Sequence, residues 1–423
     1  MTQKAIFTWT LSLSLLTCFS ACGEIKMPDP SGPYKVGTTL MDLTDNSRKE
    51  TLTNIAGLNR RILFRVWYPA ENTNGCIRNF YQSKMMIKAL EKQYKFPEGV
   101  MGEPVETDVF INAPIGLKEK SYPVILFSHG FGSFENQNYT QMAELASRGY
   151  IVISINYPYE SVLSEFSDGT TAICQETKYT TVMKKFEKDP NDYGKKVSAL
   201  FQSIKNQNSV TNKRKAVVAM THSEIYQPLQ DQLETRVKDN LFILESLKSL
   251  NTKIPFKGRM DLERIGAYGH SFGAASISET CFREPLKIKA GISLDAMVFM
   301  DKESKDTGLK IPFLFVYSTA NKAGKYIIDW AGVNDFLAES TSAPFYSLTV
   351  KGTGHMSFSD LTYISMMKFT GINGTIDGNK CGKMMQEVIS AFFDKYLKGI
   401  DSPILQKIPA EYKELTMKSW NTK

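Results

Sequence analysis

Short apolar runs separated by polar stretches set the rhythm of this chain, at residues 124–127, 150–155, 264–268, 290–294, 312–318 and 345–350. Each is too short for a buried helix and is bounded by polar or glycine-bearing sequence, the pattern of a strand covered on both faces. Between or after them lie stretches with apolar residues at helical spacing, among them residues 139–148, 233–250 and 384–397. Strands that alternate with helices predict an α/β fold built on a mostly parallel, doubly wound sheet. Upstream, residues 34–70 read as antiparallel strands that begin the sheet, because residues 61–68 partly alternate.

One long segment, about residues 157–259, departs from this rhythm and reads as a helical insertion before the strand at 264–268. Its portion at 176–215 is rich in lysine and interrupted by Asp189-Pro190-Asn191-Asp192, so polar helices outside the sheet are expected there, a candidate cap. Lys184, Lys185, Lys195, Lys196, Lys213, Arg214 and Lys215 would suit anionic lipid head groups. A solvated helix face is the favoured reading of these residues, since acidic residues are interleaved. Residues 233–250 are expected to pack beside the strand at 264–268. Composition leaves this picture unchanged: 423 residues, 42% hydrophobic and 22% charged, suit one α/β unit with insertions. The formal net charge of +7 comes with no nucleic-acid recognition motif, so no nucleic-acid partner is expected.

Candidate chemistry centres on Gly269-His270-Ser271-Phe272-Gly273, which follows a strand-like run and precedes helix-compatible residues. In that context a Gly-x-Ser-x-Gly turn lifts its serine into an exposed, sharp bend, where it serves as a nucleophile. The glycines remove β-carbons that would clash in so tight a turn. A general base is then required, and the chain has only 4 histidines. His270 adjoins the serine and would point away across the turn; His222 lies in a polar, helical segment. His129 sits in Phe127-Ser128-His129-Gly130-Phe131-Gly132, after a strand, and reads as part of an oxyanion loop. His355 remains, on a loop beyond the strand at 345–350, where the order serine, acid, histidine puts the base. Asp295 is the favoured acid because it ends the run at 290–294, and catalytic groups gather beyond the carboxyl ends of such strands. Asp329 and Asp335, after the next strand, are its competitors. The backbone N–H groups of Phe131 and Phe272 are the expected oxyanion donors.

These stretches also resemble a family. Gly32-Pro33-Tyr34-Lys35-Val36-Gly37, Arg65-Val66-Trp67-Tyr68-Pro69-Ala70, the Phe-Ser-His-Gly loop, Gly-His-Ser-Phe-Gly, Leu294-Asp295-Ala296 and His355-Met356-Ser357-Phe358-Ser359-Asp360 together are similar to the plasma-type platelet-activating factor acetylhydrolases, the isoform II group, and their bacterial relatives. The resemblance implies an α/β-hydrolase fold with nucleophile Ser271, acid Asp295, base His355 and oxyanion amides Phe131 and Phe272. It further implies a preference for a short or oxidised acyl chain at the second position of a glycerophospholipid. Ala274 departs from the family's usual second glycine, and residues 157–259 have no clear counterpart. A general lipase, carboxylesterase or polyester hydrolase with the same triad stays open, as does a surface lipoprotein that binds without catalysis.

The N-terminus reads as an export signal rather than as part of the fold: Lys4 precedes an interrupted apolar stretch at residues 5–21. Phe19-Ser20-Ala21-Cys22 resembles a bacterial lipobox, in which Cys22 becomes an acylated first residue that tethers the protein to a membrane. Ordinary cleavage after Gly23 is the alternative. Residues 23–33 would then be a spacer and 34–423 the catalytic domain. Cys76, Cys174, Cys281 and Cys381 would remain, in 3 possible disulfide pairings or as free thiols. Neither cysteines nor histidines show metal-ligand spacing, so no metal or cofactor is expected.

Overall fold

An apolar run that alternates its side chains between two covered faces can bury all of them, and the sheet is assembled from such runs. In the computed structural model, residues 27–300, 308–319, 321–363 and 372–422 are described, so the expectations for residues 1–22, Cys22 included, lie outside them. The strands are β1 (Lys35–Lys49), β2 (Asn59–Ala70), β3 (Arg78–Phe80), β4 (Glu106–Ile111), β5 (Tyr122–Ser128), β6 (Ile151–Asn156), β7 (Leu163–Glu165), β8 (Thr171–Ile173), β9 (Met260–His270), β10 (Ile288–Leu294), β11 (Phe313–Ser318), β12 (Lys322–Ala323), β13 (Tyr326–Ile327), β14 (Phe345–Val350) and β15 (Leu415–Trp420). The helices are α1 (Lys84–Tyr94), α2 (Tyr139–Ser147), α3 (Lys178–Lys188), α4 (Pro190–Lys205), α5 (Val210–Thr221), α6 (Gln227–Leu250), α7 (Phe272–Arg283), α8 (Trp330–Asn334), α9 (Phe336–Glu339) and α10 (Gly378–Phe393).

Eleven strands form one sheet in the order β15-β14-β11-β10-β9-β5-β6-β2-β1-β4-β3. From β14 to β6 every neighbour is parallel. The N-terminal strands join antiparallel, β1 to β2 and β2 to β6, as their alternation predicts. In β5, Val124 and Leu126 enter one core while Ile125 and Phe127 enter the other; β11 repeats this with Phe313 and Phe315 against Leu314 and Val316. Leu233, Val237 and Leu244 of α6, with Ile277 of α7, cover the first face, and Met142 of α2 with Val388 and Phe392 of α10 cover the second. Each such side chain contributes about 1.5–3 kcal/mol on full burial.

The insertion opens with the β7–β8 hairpin, which the helical expectation did not include, and continues as α3 to α6. Asp189-Pro190 is a helix boundary: Asp189 caps α4 through Asp192 N at 3.0 Å, and Pro190 takes the first position, where its missing N–H costs nothing. Val197, Phe201 and Ile204 of α4, with Val217 and Met220 of α5, join the same core as the sheet. The polar helices are therefore amphipathic, with lysines such as Lys184 and Lys196 on the outer side in exposed ion pairs to Glu176 and Asp192. Helix α6 packs chiefly on α7 and also meets β9, the strand it was expected to lie beside, within one core. The last helix starts earlier than residue 384, at Gly378, and gives way after Phe393 to a π turn, Asp394–Lys398. Cys76, Cys174, Cys281 and Cys381 are all free thiols. Among the described residues no helix is long and apolar enough to cross a membrane.

The chain lays β6 on one side of β5 and, after the insertion, β9 on the other. That reversal of direction opens a crevice beyond the carboxyl ends of β5 and β9.

Candidate active site

Ser271 is the single residue between β9 and α7, and its backbone sits at φ 56°, ψ −128°. A side chain at such positive φ costs on the order of 1–3 kcal/mol, so the surroundings must hold it. They do so through Ser271 N donating to Leu294 O at 2.8 Å and Ala275 N donating to Ser271 O at 3.1 Å. The flanking glycines allow the approach: a β-carbon at Gly269 would lie 2.5 Å from the Gly273 carbonyl carbon, and one at Gly273 would lie 2.1 Å from Ser128 O.

Asp295 follows β10, also at positive φ (56°), with its N–H bonded to Val316 O at 2.7 Å. The turn aims a fully buried carboxylate back over the strand ends. It accepts from Ser318 N (2.8 Å), Ser318 Oγ (2.9 Å) and Asn321 Nδ2 (3.0 and 3.1 Å), so the negative charge is hydrogen-bonded rather than bare. Asp295 Oδ2 also lies 2.7 Å from His355 Nδ1, and His355 Nε2 lies 2.7 Å from Ser271 Oγ. With Nδ1 donating to the carboxylate, Nε2 is left as an acceptor for the hydroxyl proton. Trp330 packs edge-on against this imidazole, ring centres 5.4 Å apart. The competitors go elsewhere: Asp329 caps α8 through Gly332 N at 2.9 Å and pairs with Lys205, and Asp335 ends that helix. A hydroxyl, imidazole and buried carboxylate so linked can deprotonate the serine as it attacks an acyl carbon.

The rings of Phe131 and Phe272 pack edge-on, with centres 6.0 Å apart. Phe272 is the first residue of α7, directly after Ser271. Phe131 lies in the loop after β5, which passes so near that a β-carbon on Gly130 would be 3.4 Å from Ser271 Cβ. His129 is fully buried in that loop, with Nδ1 donating to Gly130 O (2.7 Å) and Nε2 accepting from Ser161 Oγ (3.0 Å). Burial, and then the Arg236 charge beside it, hold its pKa well below the ordinary histidine value. His222 caps the end of α5, bonded to Gln227, apart from the relay.

His270 turns from the Ser271 hydroxyl, yet it belongs to the site. Gln137 Oε1 accepts from Gly130 N (2.6 Å), which leaves Gln137 Nε2 to donate to His270 Nδ1 (2.6 Å). His270 Nε2 then donates to His355 O at 2.8 Å, tying the loop after β5 to the loop that carries His355. Burial first, and the neighbouring His355 second, push the His270 pKa down to about 3. Asp360, five residues beyond His355, holds the first turn of α2 through Thr140 Oγ1 (2.6 Å) and Thr140 N (3.2 Å). Burial pushes its carboxyl up to about 7.

Sequence reasoning missed Gln137, Ser318, Asn321, Glu160 and Arg236. Arg236 alone left a signal, since it shares the apolar stripe Leu233, Val237, Leu244 of an amphipathic helix, where an arginine is out of place unless paired.

The comparisons with known proteins run through these same elements. A family model described as platelet-activating factor acetylhydrolase, isoform II, matches residues 19–403. The platelet-activating factor acetylhydrolase of Cavia porcellus is 25% identical over 405 residues, 94% of this chain and 84% of its own length. That of Bos taurus is 24% identical over 403 residues, 92% and 81% respectively. Among solved structures, a ferulic acid esterase from Streptomyces cinnamoneus shares the fold, with a TM-score of 0.67 and 24% identity over 92% of this chain and 97% of that one. Since the family match takes in every strand of the sheet but the edge strand β15, together with the turn at Ser271 and the loop at His355, this chain is an ester hydrolase of α/β-hydrolase fold and belongs to the platelet-activating factor acetylhydrolase isoform II family.

Proposed function

We propose that this protein cleaves carboxylic esters through an acyl-enzyme, with Ser271 as nucleophile, His355 as base and then acid, and Asp295 as the group that orients the imidazole. The observation that carries this reading is the continuous relay of two 2.7 Å contacts from Ser271 Oγ through His355 to a buried carboxylate. Ser271 Oγ attacks the acyl carbon while its proton passes to His355 Nε2, and the imidazolium is stabilised by Asp295. The tetrahedral oxyanion is held by the Phe131 and Phe272 N–H groups. His355 gives that proton to the leaving alcohol as its C–O bond breaks; in deacylation it takes a proton from water attacking the acyl carbon and passes it to Ser271 Oγ as the acyl–serine bond breaks and the acid leaves.

The relatives' activity supports a narrower substrate: a glycerophospholipid carrying a short or oxidised acyl chain at its second position. The signal-like residues 4–22 support export, with Cys22 acylated and the enzyme tethered at a membrane surface.

The test is a serine-directed fluorophosphonate read by intact mass on protein extracted from membranes. A single adduct that is lost in Ser271→Ala, with activity down on the order of 10⁴-fold or more, is expected. An adduct that persists in Ser271→Ala would refute the nucleophile, and a mass that retains residues 1–21 without acylation would refute the anchor. Equal turnover of acetyl esters with and without a phospholipid head group would replace the narrow substrate by a general carboxylesterase.

A further inference from the structure

The insertion reaches the reacting centre through one buried side chain. Arg236 projects from the inward side of α6 and is wholly buried, and its Nη1 donates to the His129 carbonyl while Nη2 donates to the Gly130 carbonyl at 3.1 Å. A buried guanidinium is strongly unfavourable unless its charge and donors are met. Here Glu160, itself buried, accepts from Arg236 Nε at 2.8 Å and from Nη2, and Gln232 Nε2 holds its other oxygen at 2.7 Å. The guanidinium lies 4.1 Å from the Tyr157 ring centre and 5.0 Å from that of Phe272.

The consequence follows from peptide geometry. A trans peptide is planar, so the carbonyl of one residue and the N–H of the next point in opposite directions. Gly130 O and Phe131 N–H belong to one such plane, and that carbonyl accepts from both Arg236 Nη2 and His129 Nδ1 (2.7 Å). Two donors on one oxygen fix the plane's rotation, and with it the direction of the Phe131 N–H, away from α6. The cation also polarises the peptide, which strengthens its N–H as a donor in a low-dielectric surrounding. Gly130 N is bound by Gln137 Oε1 at 2.6 Å, so the residue is held at both ends.

We propose that Arg236, anchored by Glu160, is a positioning residue for the oxyanion hole, and that the insertion serves to preorganise this donor. The inference rests on the serine hydrolase reading given above.

The experiment compares wild type, Arg236→Lys and Glu160→Gln in steady-state hydrolysis of p-nitrophenyl acetate and in inhibition by an alkyl trifluoromethyl ketone. The ketone's adduct with the serine puts an oxyanion in the same place as the tetrahedral intermediate. Lysine keeps the charge but cannot bridge two carbonyls and a carboxylate. Loss of one oxyanion donor costs about 10²–10³-fold in kcat, so a displaced donor should cost at least about 10-fold in Arg236→Lys and less in Glu160→Gln. The ketone's inhibition constant should rise by the same factor as kcat falls, with KM nearly unchanged. Wild-type kcat and ketone affinity in either folded variant, or a change in KM alone, would overturn the inference. If Arg236→Lys does not fold, Glu160→Gln decides by the same two readouts. Turnover that survives Ser271→Ala would sink the serine reading itself, whereas wild-type turnover in the Arg236 variant of an enzyme that Ser271→Ala inactivates sinks only this inference.

Discussion

Acid should destabilise this protein in part through His270. The ring is fully buried between Gln137 and the His355 carbonyl, and burial, then the adjacent His355, lower its pKa from the ordinary 6.5 to about 3. The unfolded chain therefore binds a proton at this histidine that the folded chain refuses, so stability falls as the pH drops below the unfolded value and the loss levels off only at the folded value. At about pH 4.5, roughly two units below the unfolded pKa, the loss is about 3 kcal/mol. That is a substantial part of the roughly 5–15 kcal/mol that holds a folded protein together. His270→Gln keeps one donor and one acceptor but cannot titrate. Urea unfolding followed by pulse proteolysis, at about pH 7.5 and about pH 4.5, should show the variant losing about 3 kcal/mol less than wild type between the two. Because every other acid-sensitive group is shared, the difference isolates this ring. Equal losses in the two proteins would mean that His270 is protonated in the folded state or never titrates in the unfolded one, and the linkage argument would fail.

Two further substitutions test the geometry of the relay. Asp295→Asn would set an amide N–H₂ against either Asn321 Nδ2 or the donating His355 Nδ1, so kcat for p-nitrophenyl acetate should fall on the order of 10³–10⁴-fold at little change in KM; a loss under about 10-fold would hand the role to another carboxylate. Gly273→Ala would place a β-carbon 2.1 Å from Ser128 O. Helix α7 would have to move off β5 and carry Ser271 with it, and a shift of about 1 Å should lower kcat by about 10²-fold. A soluble Gly273→Ala variant with wild-type kcat would show that the close approach is not required.

How much of this was legible depended on how local each cause is. The strands at the centre of the sheet were readable because a run such as Val124, Ile125, Leu126, Phe127 can be satisfied only by cover on both faces. Ser271 was readable because the turn needs its glycines at fixed offsets, and His355 because a loop just past a strand is a short-range feature. The β7–β8 hairpin was not readable, since its strands are 3 residues each and their periodicity does not rise above that of a loop. The lysine-rich segment looked wholly polar because its inward residues, Val197, Phe201 and Ile204, are spread at helical spacing among charges.

What the sequence determined by itself was the α/β alternation, the antiparallel start of the sheet, the turn at Ser271 and the positions of Asp295 and His355 just beyond later strands. Neighbouring residues carry those features through backbone sterics, turn chemistry and the period of apolar positions. Which aspartate meets the imidazole, that His270 and Gln137 join two loops, and that Arg236 holds a carbonyl 106 residues away were decided only when the chain closed on itself. Those contacts depend on which strand ends lie side by side and on what a buried charge finds within reach, and no local pattern encodes either.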